Sequence, residues 1–259
     1  MTVETIAVGH EDPHPRHGRA AGFRDHVSGY EFCATTPEHS PDLWHRYLTG
    51  AREAYRHFGN EEVLEYDTIA DGSSTALFFA ATDTAGAVVG GLRVQGPYTG
   101  VTEIDSLRPW AGRPGAADLN LMMARRLPRG VVESRAAWVD RRAARRNELA
   151  AAISRCIAHA PHLLGARYGF ATVASFTTER HRASGGVVAQ AIPSVPYPDE
   201  RYRTVPIWWD TSTYPVFADR LQYLMMRGEL RAMGLAEPRF SRPARPLCHG
   251  GEESRSHGR

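Results

Sequence analysis

The chain has 259 residues, of which 42% are hydrophobic and 23% charged, with a formal net charge of +2. That length serves one sizeable core or at most two small ones, and the near-neutral balance excludes the global basic field of a nucleic-acid binder. Three widely spaced cysteines, Cys33, Cys156 and Cys248, argue against a disulfide framework and a thiolate metal site. No apolar run approaches the ~20 residues of a membrane span. The first stretch, "MTVETIAVGHEDPHPRHGRAAG", lacks the apolar core of a signal peptide, so a cytoplasmic protein is expected.

Residues 1–25 are rich in His, Pro and Gly without periodicity and read as a flexible tail. His10, His14 and His17 have no further ligand nearby, so a solvated tail is expected there and no metal. "SGYEFCATTP" alternates enough for a short strand. "SPDLWHRYLTGAREAYRHFG" predicts a helix, with Ser40 as its cap and Pro41 in its first turn. Its apolar stripe is Trp44, Tyr47, Leu48, Ala51, Ala54, Tyr55 and Phe58, and Gly59 ends it. "TALFFAATD" and "VVGGLRVQG" read as a β-hairpin around "TAGA". After Gly/Pro-rich connections, "AADLNLMMARRL" predicts a helix and "SRAAWVD" a strand. A helix follows from about Asn147 to His159, kinked or ended by Pro161.

"YGFATVA" is a further strand, and "TTERHRASGG" a short helix closed by Gly185 and Gly186. "YRTVPIWWD" is a late strand whose adjacent Trp208 and Trp209 should face one in and one out. "YPVFADRLQYLMMRGELRAMGL" reads as a terminal helix interrupted by Gly228, and residues 237–259 as a second flexible tail. The strand–helix–strand passage over 134–174 implies a parallel pair with a right-handed crossover. The fold is therefore α/β with a mixed, partly antiparallel sheet, in a single domain over 26–236.

One stretch resists the ordinary rules. In "VVESRAAWVDRRAARRNELAAAISR" four arginines, Arg141, Arg142, Arg145 and Arg146, fall within six residues just before a helix. Helix N-termini carry partial positive charge and favour acids. Either an anion completes the cluster, with Arg146 as a bystander, or Asp140 caps a helix starting at Arg141 and the arginines are surface beside Glu148.

This element order, with a basic loop between the central strand and its helix, resembles the GNAT acyltransferase fold. The glycine-rich phosphate loop of that fold is replaced here by "RRAARRNEL". A narrower resemblance is to the acyl-homoserine-lactone synthases and N-acyl amino acid synthases. It rests on Glu133-Ser134-Arg135, on "ATVAS" with Thr172 and Ser175, on "ASGGV", and on "IPSVPYPDERYR". Upstream, "EYDTIADGSSTALFFAATDTAGAVVGGLRVQGP" is similar to their acidic loop, hairpin and Arg-containing third strand.

The resemblance implies a GNAT-like sheet flanked by helices, with a splayed central parallel strand pair. It implies N-acyl transfer from an acyl-phosphopantetheine thioester, carried by acyl carrier protein or coenzyme A, to a small amine such as an amino acid. The thioester is a co-substrate; no tightly bound cofactor is expected. Glu133 is the candidate base and Asp67 the second, with Arg135 organising the site and Arg93 placed for an acceptor carboxylate. Trp138 and Val139 mark where pantetheine amides would pair with open backbone. Arg141, Arg142, Arg145 and Asn147 fall at the donor phosphate, and Thr172 and Ser175 beside the acyl chain.

Ordinary readings stand beside these. Glu133 could simply pair with Arg135 or Arg93, and Arg93 could be an exposed edge residue. Trp138 and Val139 could be core, and Thr172 and Ser175 satisfied strand-end hydroxyls. A coenzyme A-dependent GNAT enzyme, an acyl-homoserine-lactone synthase and a non-catalytic thioester-binding protein are the alternatives in function.

Overall fold

Strand-forming runs separated by turn residues assemble into one sheet, seen in a computed structural model that describes residues 20–236. Its strands are β1 (Ala21–Arg24), β2 (Glu31–Thr35), β3 (Leu77–Thr82), β4 (Val88–Gln95), β5 (Val131–Val139), β6 (Tyr168–Ala174), β7 (Val187–Val188) and β8 (Thr204–Asp210). The spatial order is β1-β2-β3-β4-β5-β6-β8-β7. Only β5 and β6 pair in parallel; every other neighbouring pair is antiparallel. The helices are α1 (Pro41–His57), α2 (Tyr66–Ile69), α3 (Ala116–Ala124), α4 (Arg146–Leu163), α5 (Thr178–Ala183), α6 (Tyr214–Phe217) and α7 (Arg220–Ala232).

Both faces of the sheet are covered. On one, Leu149, Ile153, Cys156 and Ile157 of α4 and Met226 of α7 pack with Leu92, Val132 and Trp209. On the other, Trp44, Tyr47, Leu48 and Ala51 of α1 cover Phe78 and Trp138. Beside them α3 and the turns at 101–110 cover Val131, Phe170 and Trp208. Trp208 and Trp209 thus point to opposite faces, yet both are buried, because neither face is open to solvent.

Other expectations change in detail. Residues 21–24 belong to the sheet as β1 and not to a tail: Phe23 stacks on Phe32 at 4.8 Å, and the buried Asp25 accepts from Arg155 at 2.8 Å. The rest of that segment, with His10, His14 and His17, lies outside the described residues, as do residues 237–259 with Cys248. Ser40 stands at the start of α1 but makes no capping bond; its hydroxyl meets that of Thr35 at 3.1 Å. Phe58 lies past the end of α1 and is exposed. Pro161 does not end α4, which runs on to Leu163 because a proline this near the C-terminus removes a single helical bond. The carbonyl that Pro161 leaves free, that of Ile157, would lie 3.0 Å from a side chain at position 169, where Gly169 leaves room. Helix α7 passes through Gly228 unbroken, after the separate turn α6.

What positions the site is the way β5 and β6 part. They pair only from Val131↔Tyr168 to Glu133↔Phe170, although β5 continues to Val139 and β6 to Ala174. On its other side β6 stays with β8 along its whole length, and β5 stays with β4. The β4–β5 register shifts between Gly91 and Arg93, and Ala136 takes a left-handed φ of 48°. Such a bulge bends the strand that carries it, and its carbonyl is fixed by the Tyr47 hydroxyl at 2.7 Å.

Candidate active site

The parted strands frame a pocket of about 370 Å³, lined among others by Tyr55, Glu65, Ser106, Arg135, Thr172 and Tyr197. The period-2 alternation of β5 puts Val131, Glu133 and Arg135 on this face. Cross-strand register sets Gln95 beside Glu133, which pairs in turn with Phe170, and sets Arg93 directly opposite Arg135. Like charges placed opposite each other destabilise a sheet, so this pair needs negative partners.

Glu133 has no exposed surface. Its Oε2 accepts from the Tyr98 hydroxyl at 2.8 Å, while Oε1 has no hydrogen-bond partner. The buried hydroxyl of Ser106 is also unpartnered. Burial pushes the Glu133 carboxyl above its ordinary range, against the opposing pull of Arg135, Ser106, Tyr98 and Arg93. The Tyr98 hydroxyl is likewise pushed up, by burial first and then by the charge of Glu133.

No salt bridge joins Glu133 to either arginine. Arg135 donates to Gln95 Oε1 at 3.1 Å and reaches Glu65 Oε2 at 3.5 Å. Arg93 is not an edge residue: it lies buried on β4 inside the sheet, with a 3.4 Å bond to Thr75 and an unpartnered Nε. Burial, and then Arg135, lower its pKa. Asp67 stands apart, exposed on the first turn of α2. Its near neighbour Glu65, in a left-handed conformation with φ 51°, is the acid that reaches Arg135.

Thr172 lines the pocket; Ser175 lies beyond it, exposed, its backbone N–H donating to Arg203 O at 2.7 Å. Trp138 is core as a side chain: it packs so closely on α1 that a side chain at Gly50 would come within 2.1 Å of its ring. Trp138 and Val139 pair through their backbone with β4, and β6 has already left their other edge.

Beyond Val139, Asp140 folds a turn by accepting the backbone N–H of Arg142 at 2.8 Å. Helix α4 begins only at Arg146, so Arg141, Arg142 and Arg145 precede the helix. Arg141 and Arg142 line a cleft of about 1000 Å³ together with Arg46, His57 and Trp138. Arg145, with φ 49°, turns away and donates to Val27 O at 2.6 Å. Arg146 and Asn147 are exposed in the first turn of α4 and do not line the cleft. The geometry brings Arg135 and Thr172 to the pocket, buries Glu133 two residues before Arg135 on β5, and sets Arg141 and Arg142 in the turn that follows the strand. It leaves out Asp67, Ser175, Arg145 and Asn147.

No protein-family model matches this chain. Over 197 residues it is 44% identical to the uncharacterized protein Rv1356c of Mycobacterium tuberculosis (strain H37Rv), a match spanning 76% of this chain and 75% of that protein. The same figures hold for the uncharacterized protein Mb1391c of Mycobacterium bovis. The chain belongs to the same family as these two proteins. Among solved structures, FeeM, an N-acyl amino acid synthase from uncultured soil microbes, superposes with a TM-score of 0.51 at 13% identity. The match covers 75% of this chain and 98% of FeeM. At that identity the likeness shows the fold, and the fold of this family member is the GNAT-like one.

Tyr98 and Ser106 escape a reading of motifs, because neither belongs to one. The chain leaving β4 brings Tyr98 to Glu133, and the turn at 105–110 brings Ser106 to the pocket wall. Among the described residues no group of three or more His, Cys, Asp or Glu side chains could hold a metal, and no helix is long and apolar enough to cross a membrane. The arrangement offers a strand edge that can pair with amide groups, a cationic turn at one end of it, and a buried carboxyl at the other.

Proposed function

We propose that the protein is an N-acyltransferase that moves an acyl group from a phosphopantetheine thioester, carried by an acyl carrier protein, to the amino group of a small acceptor such as an amino acid. The observation that carries this reading is the β5 edge freed beyond Glu133, with the buried carboxyl at one end and Arg141 and Arg142 at the other. Pantetheine amides would extend the sheet by pairing along the edge. Its phosphate would meet the arginine forks, whose geometry suits phosphate oxygens. The thioester would then lie at the small pocket beside Thr172, with Arg135 and Arg93 as the cations available to an acceptor carboxylate.

Glu133 takes the proton that an ammonium must lose before nitrogen can attack. A carboxyl raised by burial is a better base than a solvated one, although Arg135 and Arg93 pull the other way. The acyl carrier reading accords with the absence of glycines from the 141–149 turn, since side chains can grip a single phosphate that backbone cannot wrap.

A second donor, coenzyme A, is favoured by one observation. The cleft of about 1000 Å³ at Arg141 and Arg142 is large enough to seat a nucleotide as well as a phosphate. The test is free-thiol release and product mass after offering acyl carrier and acyl-coenzyme A donors with a pooled set of amines. Turnover that falls ~10²-fold or more in Glu133→Gln, with donor binding intact, is the expected result. Absence of thiol release with every donor would refute the enzyme and leave a thioester-binding protein.

A further inference from the structure

Two arginines grip one phosphate only if the turn that carries them is held still. Asp140 shapes the front of that turn by accepting the Arg142 N–H. Its rear is less regular: Arg145 stands at the start of α4 with φ 49°, a left-handed conformation that is strained for any side chain with a Cβ. A helix ordinarily begins from an extended residue whose side chain caps it, and Arg145 makes no capping bond. The conformation is held from outside the turn. The buried Tyr30 donates its hydroxyl to Ala144 O at 2.9 Å, and Arg145 Nη1 donates to Val27 O at 2.6 Å. Ala144 O lies in the rigid peptide plane that the φ of Arg145 rotates, so fixing that oxygen fixes the angle.

Both bonds come from residues 25–30, the turn between β1 and β2, which is itself locked. Asp25 Oδ2 accepts the Ser28 N–H at 2.8 Å, its carbonyl accepts the Gly29 N–H at 2.7 Å, and its N–H donates to Tyr30 O at 3.0 Å. Its Oδ1 accepts from Arg155 Nη2 of α4 at 2.8 Å, and Arg155 donates onward to Glu229 at 2.8 Å and Gln222 at 2.7 Å, both on α7. Asp25, Arg155 and Glu229 are buried, an ion cluster whose desolvation is costly and which the acyl-transfer chemistry does not use. Its position gives it a use. It ties the 25–30 turn to the body of α4, while the same turn grips the residues just ahead of that helix. Ser28, Gly29 and Tyr30 also line the cleft of about 1000 Å³ that Arg141 and Arg142 line. We propose that Tyr30 is a positioning residue for the donor phosphate: through Ala144 it fixes the turn that aims Arg141 and Arg142. This rests on the acyl-transfer reading above. Because the Tyr30 hydroxyl is spent on a backbone carbonyl, it acts through the arginines and not on phosphate itself. Its effect is therefore specific to phosphate and vanishes once the arginines are gone.

The test is calorimetric binding, in the full chain, of phosphopantetheine, the part that both donors share, and of pantetheine, which lacks the phosphate. The ratio of the two affinities reads the phosphate contact by itself. Tyr30→Phe keeps the ring and removes the bond to Ala144. The ratio should then fall roughly threefold to tenfold, the net contribution of one hydrogen bond, with the pantetheine affinity unchanged. Added to Arg141→Ala and Arg142→Ala, Tyr30→Phe should lower the ratio no further, because residues that act through one another are not additive. A wild-type ratio in Tyr30→Phe, where the arginine double variant lowers it, would overturn the positioning role alone. So would an equal loss of affinity for both ligands, which a merely structural residue gives, or a fully additive triple variant. A ratio that the arginine double variant leaves intact, or a wild-type protein that binds neither ligand, would instead remove the phosphate contact of the acyl-transfer reading and the role of Tyr30 with it.

Discussion

Replacing Tyr98 by Phe removes one atom, the hydroxyl that donates to Glu133 Oε2 over 2.8 Å in a buried setting, and keeps the ring. A hydrogen bond to a charged group contributes roughly 1.5–3 kcal/mol net. That corresponds to about tenfold to a hundredfold in the ionisation equilibrium of the carboxyl it favours. The bond stabilises the carboxylate, so its loss moves the Glu133 pKa further up, in the direction burial already drives it. The ascending limb of kcat/KM against pH should therefore shift to higher pH. On the acid side of that limb thiol release should drop by about the same tenfold to a hundredfold, and it should recover as the medium is made alkaline. The assay is a pH series of thiol release with the best donor and amine. A uniform loss at every pH would mean that Tyr98 only shapes the pocket; an unmoved limb would mean that Glu133 is not the group whose ionisation limits the rate.

Arg141→Ala with Arg142→Ala should raise the donor KM about tenfold or more, leave kcat close to normal and flatten the salt dependence of donor binding. Thermal unfolding should not gain stability, because both lie ahead of α4 and not on its first turn; unchanged donor affinity at low salt would refute the phosphate contact. Thr172→Leu fills part of the pocket of about 370 Å³ and should shift donor preference toward shorter acyl groups with little change in Tm; an identical donor profile would place the acyl chain elsewhere. His162 and His181 are both lowered to about 4, by burial first and then by His159 and Arg180 respectively. Their unfolded forms bind protons at higher pH than their folded forms. The stability they contribute is therefore present above about pH 6.5 and lost as pH falls towards about 4, by up to about 3 kcal/mol each. Urea unfolding at several pH values should show that loss, and a His162→Phe, His181→Phe variant that declines as steeply as wild type would refute it.

The chain's periodicity determined most of its elements locally. The stripe of α1 from Trp44 to Ala51, the hairpin of β3 and β4, and the strands at 168–174 and 204–210 follow from side-chain spacing and turn residues that act over a few positions. The parallel β5–β6 pair was legible for the same reason, since a strand–helix–strand run allows one handed crossover. Motif spacing also pointed to Arg135 and Thr172, which line one pocket, and to Glu133 on the same strand as Arg135.

What tertiary structure alone decided is where each charge ends. Residues 21–24 look like tail by composition and become strand because Phe32 on the next strand and Arg155, distant in sequence, bury Phe23 and Asp25. Arg93 could be edge or interior until β5 paired beyond β4 and closed it in. Asp67 and Glu65 are equivalent acids in the sequence, and a single left-handed turn gives Arg135 to Glu65. The four arginines before α4 could not be sorted from their spacing. The turn at Asp140 starts the helix late, and a carbonyl of Val27 draws Arg145 away from the cleft that Arg141 and Arg142 share. Burial, which raises the proton affinity of Glu133 and leaves its Oε1 without a partner, depends on atoms brought from segments far apart in the chain, and no local pattern of residues encodes it.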